Sequence, residues 1–219
     1  MKPYSCVLFD LDGTLMDTSL GIMRATDYII ETFHLPKLPE EVKRGFIGPP
    51  IQKSFQTYYH INQKRAWEIA TAWRDVYKDR FLLEAAPYDG IYELLKRLRE
   101  EGVKTCVATN KREDYAAKIL SHFFLLPLFD CVVGSDFEGK RTKADMIRIC
   151  MERIGVLDPA QCLMIGDTTG DMMAAQECGA KFIGVTYGFG FSPNSENNGI
   201  PMANSCKEIE RMVREPIIE

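Results

Sequence analysis

A chain of 219 residues, 46% apolar and 26% charged, is long enough to bury a sizeable core as one domain or as one domain carrying an insert. Its net charge of -4, with Lys and Arg scattered among acids, offers no basic patch or stripe of the kind nucleic-acid binding uses, so the expected partner is a small molecule. Apolar runs far shorter than the roughly 18 residues of a membrane span, no long apolar signal core and no zinc-type cysteine spacing predict a cytoplasmic protein with reduced thiols and no membrane partner.

The first apolar run, Cys6 to Phe9, reads as a strand buried on both faces. Thr105 to Ala108, Cys131 to Val133, Cys162 to Ile165 and Phe182 to Val185 repeat the signal, and their cysteines read as small core residues. The interval from Phe9 to Thr105 is several times the dozen or so residues that one crossover needs. Within it only helical patterns occur, including Ile22 to Phe33 and Arg65 to Phe81, broken by Pro36, Pro39 and the loop from Gly45 to Pro50. This predicts a small helical domain, residues 17–84, inserted on two linkers into a core of residues 1–16 and 85–219. After the insert, helical patterns at Ile91 to Glu101, Asp114 to Phe123, Ala144 to Ile154 and Met172 to Cys178 alternate with the strands. Gly102, Gly155 and Gly179 each stand where a helix would stop. Strand alternating with helix predicts an α/β fold, a doubly wound, Rossmann-like parallel sheet with right-handed crossovers. Ser192 to Asn204, rich in Asn, Ser and Pro, reads as a loop.

In an open parallel sheet ligands bind beyond the carboxyl ends of the strands, which makes the residues after each apolar run the ones to inspect. The first run leads into Asp10-Leu-Asp12-Gly13-Thr14, the second into Thr109-Asn110-Lys111, and the fourth into Gly166-Asp167-Thr-Thr-Gly-Asp171; Lys143 opens the helix after the third. Four acids gathered on one edge would repel one another without a cation, and an all-oxygen site suits a hard ion such as magnesium. Magnesium favours a couple of carboxylates plus a substrate phosphate, so the set points to phosphoryl chemistry. A lone Asp-x-Asp after a strand would be read as a helix cap or turn, and Lys143 alone as a solvated cation. The full set is what carries the functional reading.

Asp10-Leu-Asp-Gly-Thr14, Thr109-Asn110, Lys143 and Gly166-Asp167-x-x-x-Asp171 resemble, in order, the four motifs of the haloacid dehalogenase superfamily, and the resemblance spans nearly the whole chain. It implies that Asp10 is the nucleophile and Asp12 the general acid, that Thr109 and the backbone of Asn110 hold phosphate oxygens, and that Lys143 neutralises the charge shared by Asp10 and the phosphoryl group. It also implies magnesium on Asp10, the main-chain carbonyl of Asp12 and Asp167, with Asp171 behind. An acid at position 12 distinguishes phosphatases from dehalogenases, and the insert resembles the helical cap of the phosphoglycolate phosphatase-like branch. Many relatives follow the motif lysine with Pro, whereas Lys143 precedes Ala144 and Lys140 is close by, so either lysine fits. A mutase related to beta-phosphoglucomutase would carry a histidine shortly after the first motif, and Thr18 to Arg24 has none. A non-catalytic module would be expected to have lost Asp10, Asp12 or Lys143. The implied partner is a small phosphorylated metabolite, with phosphoglycolate, a nucleoside monophosphate and pyrophosphate all open, acted on by a monomer or homodimer. Its selectivity is expected in the Gly45 to Pro50 loop, where Gly48 is the candidate substrate contact and Phe46 and Ile47 the candidate specificity side chains.

Overall fold

The computed structural model describes residues 4–192 and 199–214. It divides into two compact units, Met1–Met16 with Pro87–Glu219, and Asp17–Ala86. In chain order, β1 (Cys6–Phe9) and β2 (Met16–Asp17) precede the helices α1 (Ser19–Thr32), α2 (Glu40–Lys43), α3 (Ile51–Tyr59) and α4 (Gln63–Val76), and β3 (Ala86–Pro87) follows them. Then come α5 (Ile91–Glu100), β4 (Lys104–Arg112), α6 (Glu113–His122), β5 (Cys131–Ser135), α7 (Lys143–Ile154), β6 (Cys162–Gly166), α8 (Thr169–Glu177), β7 (Lys181–Val185), β8 (Met202–Ala203) and α9 (Cys206–Arg214). No helix among the described residues is long and apolar enough to cross a membrane.

Six strands form one parallel sheet in the order β5-β4-β1-β6-β7-β8, while β2 and β3 pair separately. From β1 the chain winds outward through β4 and β5, then returns to the other side of β1 and winds the opposite way from β6. That reversal opens a crevice at the carboxyl ends of β1, β4 and β6, where a parallel sheet places its ligands. Alternation sends Cys6, Leu8, Cys106 and Ala108 to the face that Met146, Ile147 and Cys150 of α7 and Ala174 and Ala175 of α8 cover. Two capping boxes set where these helices begin. Thr142 and Asp145 cap α7, and Thr168 and Asp171 cap α8, each pair satisfying two of the amide donors that a helix start leaves open. Gly155, at φ 73°, ends α7 in the left-handed conformation that glycine adopts without a Cβ penalty.

The structure departs from the sequence reading in several places, first in β4, which runs on through Thr109, Asn110 and Lys111 to Arg112. The stretch read as a loop from Ser192 contains β8, an edge strand of two residues, too short to carry an alternation signal; residues 193–198 of that stretch lie outside the described residues. The predicted helix from Arg65 to Phe81 is α4, capped by the Asn62 side chain, followed by a π-helical turn over Tyr77–Phe81. In the second unit Ile22, Ala25 and Ile29 of α1 and Ile69, Ala70 and Trp73 of α4 are buried, and the Trp73 indole N–H donates to Thr26 Oγ1 at 3.0 Å. The Phe46 ring packs on Phe55 and Tyr58, with centroids 5.1 and 5.2 Å away. Phe46 and Ile47 are 2% and 6% exposed, so both side chains are packed rather than displayed to solvent. Burial of apolar area draws them inward, while Gly45, Gly48, Pro49 and Pro50 of that loop keep exposure.

Candidate active site

Asp10 directly follows β1, in the crevice. The buried ammonium of Lys143, first residue of α7, donates to Asp10 Oδ1 at 2.6 Å and to the Ala108 carbonyl at 2.8 Å, and lies 2.8 Å from Asp171 Oδ1. Three donors meet three acceptors, so the charge is fully coordinated. A cation in a first helical turn loses about 0.3–1 kcal/mol to the helix dipole, whereas a buried partner is worth several times that, so the carboxylates decide the placement. Burial opposes the charge of Lys143, but Asp10 and Asp171 outweigh it and hold its pKa above the ordinary lysine value. Lys140 faces solvent and pairs with Glu138, which identifies Lys143 as the lysine of the cluster.

Asp10, Asp167 and Asp171 each offer a carboxylate oxygen within 4.8 Å of the others. Burial, only partly offset by Lys143 and reinforced by Asp171, Asp167 and Asp12, pushes the Asp10 carboxyl up to about 7. Burial also pushes Asp167 up to about 6, against the pull of the Phe189 amide and with Asp171 adding to it. One lysine therefore leaves the cluster short of positive charge, and three buried oxygen donors suit a hard divalent ion. The Asp12 carboxylate stands apart from the three. It forms an ion pair of 3.0 Å with Lys111, the two side chains being 9% and 7% exposed.

Asp167 is held from a direction the sequence reading did not consider. Its Oδ2 accepts the backbone N–H groups of Phe189 at 2.8 Å and Gly190 at 3.2 Å, and its carbonyl accepts that of Phe191 at 2.7 Å. A Cβ on Gly188 would lie 2.3 Å from the Gly13 carbonyl and 2.5 Å from Asp167 Cβ, so only glycine lets this turn close over the first motif. The Tyr187 hydroxyl ties the same turn to the Thr14 carbonyl at 3.0 Å.

The model of the haloacid dehalogenase-like hydrolases matches residues 7–185. The chain belongs to this family. A 5'-nucleotidase of Pseudomonas aeruginosa is 37% identical over 85% of each chain, and a phosphoglycolate phosphatase of Neisseria gonorrhoeae is 29% identical over 84% of this chain and 80% of its own. The crystal structure of a predicted phosphatase from Clostridium acetobutylicum superposes with a TM-score of 0.88 at 37% identity, covering 96% of this chain and 98% of its own. The chain is thus a phosphatase of the haloacid dehalogenase type.

In this phosphatase the crevice brings together Asp10, Asp167, Asp171 and Lys143, with Asp12 paired to Lys111 beside them. Thr109 is buried within β4 and its hydroxyl accepts the Lys111 N–H at 3.2 Å, while Asn110 is exposed. Gly48 belongs to the Asp17–Ala86 unit, at φ 96° with open space around it. Phe189 and Gly190, whose amides hold the Asp167 carboxylate, were not among the residues expected from the sequence. The signal was present, because Thr186 to Phe191 follow β7 as the motif residues follow the other strands.

Proposed function

We propose that this phosphatase hydrolyses a small phosphate monoester, such as phosphoglycolate, by way of an aspartyl-phosphate on Asp10, with magnesium as cofactor. The observation that carries the reading is Lys143, whose ammonium joins Asp10 to Asp171 in the sheet crevice. Asp10 attacks phosphorus; the bond to the ester oxygen breaks, and Asp12 gives that oxygen its proton. Asp12 then takes a proton from water, whose oxygen displaces Asp10 from phosphorus and releases inorganic phosphate. Lys143 offsets the charge shared by Asp10 and the phosphoryl oxygens, and Thr109 with the Asn110 backbone binds those oxygens. Asp10, Asp167 and Asp171, with the Asp12 carbonyl, would hold magnesium, which when bound neutralises phosphoryl charge and aligns the reacting atoms. Gly48 is our assignment for the substrate contact from the helical unit, which we read as the cap. A second substrate reading, a nucleoside 5'-monophosphate, is favoured by the greater identity to the nucleotidase than to the phosphoglycolate phosphatase. Phosphate release across a panel of p-nitrophenyl phosphate, phosphoglycolate, nucleoside monophosphates and pyrophosphate tests both. No release from any member, with magnesium present, would overturn the proposal.

Two further results are expected. Asp10 and Asp167 have folded-state pKa values above the ordinary 3.8, so the folded chain holds more protons than the unfolded one between about pH 4 and 7. Their contribution to stability is fully present below that window and is lost as pH rises through it. A cation that binds the ionised forms reverses the loss, so magnesium at 100 times its Kd should add about 2.7 kcal/mol, roughly 5–10 °C in Tm, at pH 8 and much less at pH 5. Thermal melts at both pH values check this, and equal shifts would place the ion elsewhere. Gly188→Ala should raise the magnesium concentration for half-maximal activity by about 10–100-fold, because it displaces the amides that orient Asp167. An unchanged magnesium titration would mean the turn has no such role.

A further inference from the structure

The carboxyl end of β4 is irregular, and its purpose is visible in what it aims. The register against β5 shifts between Thr109 and Arg112, a bulge in an otherwise regular parallel ladder. Such bulges re-aim side chains and are frequent next to active sites. Three features hold this one in place. The Thr109 hydroxyl accepts the Lys111 N–H at 3.2 Å, and the Glu113 carboxylate accepts the Gly134 N–H at 3.2 Å. Gly134 itself has no Cβ, which would lie 2.6 Å from the Lys111 carbonyl and 2.6 Å from the Glu113 Cα, so the bulge can press directly onto β5. The product of this local construction is a lysine carried into the crevice, where its ammonium meets Asp12 Oδ1 at 3.0 Å, both side chains almost wholly buried.

Lys111 and Lys143 therefore divide the crevice between them, one on the Asp12 side and the other on Asp10 and Asp171. We propose that Lys111 is a positioning residue for Asp12, holding that carboxyl group in the orientation from which, once protonated, it reaches the ester oxygen. The inference rests on the general-acid role proposed for Asp12. The reason such a clamp matters is geometric: the short Asp side chain hangs from a turn, and a displacement of about 1 Å in a proton-transfer group lowers rate by roughly 100-fold. Asp10 attacks from the other lysine's territory, so loss of the clamp leaves the nucleophile in place and weakens protonation of the leaving group.

The test compares Lys111→Met, which keeps the length of the stem without the charge, with Lys111→Arg and with Asp12→Asn. The quantity measured is kcat/KM for two esters, an alkyl phosphate, whose alkoxide leaves poorly unprotonated, and p-nitrophenyl phosphate, whose phenolate leaves readily. For Lys111→Met the expected loss is roughly 100-fold on the alkyl ester and at least tenfold smaller on the aryl ester, with KM little altered. Lys111→Arg should recover part of the alkyl activity. If Lys111→Met precipitates, Lys111→Gln carries the same comparison. Equal losses on both esters, or a raised KM with kcat intact, would overturn the inference, the latter by placing Lys111 on the substrate. If Asp12→Asn itself shows no dependence on the leaving group, the general-acid reading falls; if Asp12→Asn shows it and Lys111→Met does not, only the role of Lys111 falls.

Discussion

Asp10→Asn is expected to lower phosphate release by roughly 10⁴-fold or more while leaving the melting temperature within a few degrees of the wild type. The amide keeps the volume of the carboxylate and an oxygen to accept from Lys143, so neither core packing nor the ammonium's coordination is lost. It also removes one of several like charges from a buried cluster, where burial first and the neighbouring acids second raise the pKa of Asp10 itself. Activity and stability therefore part company, as they do where a site is built from groups that disfavour one another. The loss belongs to chemistry, because an amide is a poor nucleophile toward phosphorus. Assays of phosphate release and thermal melts on the same preparation give both numbers. Turnover near the wild-type rate would require a different nucleophile, and a collapsed melt would show that the Asp10 charge is structural.

Lys143→Met should behave in the opposite way, losing activity and stability together. Its ammonium is the shared partner of Asp10, Asp171 and the Ala108 carbonyl, all in the buried crevice. Without it, two carboxylates keep their burial and lose their counter-charge, and breaking a buried pair from one side costs about 3–5 kcal/mol. For a chain of this size that is roughly a 10 °C fall in Tm. Magnesium should restore part of the stability by supplying the missing positive charge, and little of the turnover, since the cation would then lack the lysine that offsets phosphoryl charge. Melts with and without magnesium check the first half and phosphate release the second. A variant as stable as the wild type would mean that the acids take up protons at little cost.

The alternating core was legible from sequence because strands buried on both faces leave unbroken apolar runs, and Cys6 to Phe9 and Cys162 to Ile165 became β1 and β6 with a residue or less of change. The residues that follow those runs were legible for the same reason, since the end of a parallel strand is where the chain must leave the sheet. β8 and the turn at Gly188 were not, as a strand of two residues has no period and a glycine announces flexibility rather than what it lies against.

What the sequence determined by itself was the order of motifs along the chain and hence the family, because Asp-x-Asp, Thr-Asn, Lys and Asp-x-x-x-Asp in that succession are local patterns. Which lysine meets which acid was decided only in three dimensions. Lys140 and Lys143 are near neighbours in sequence, yet the capping box at Thr142 starts α7 so that only Lys143 enters the crevice. The pairing of Lys111 with Asp12 depends on a bulge that a glycine on the neighbouring strand permits. The Lys143–Asp10 pair joins residues 133 positions apart and the Lys111–Asp12 pair residues about a hundred apart, and their energy depends on burial that no short window of sequence contains.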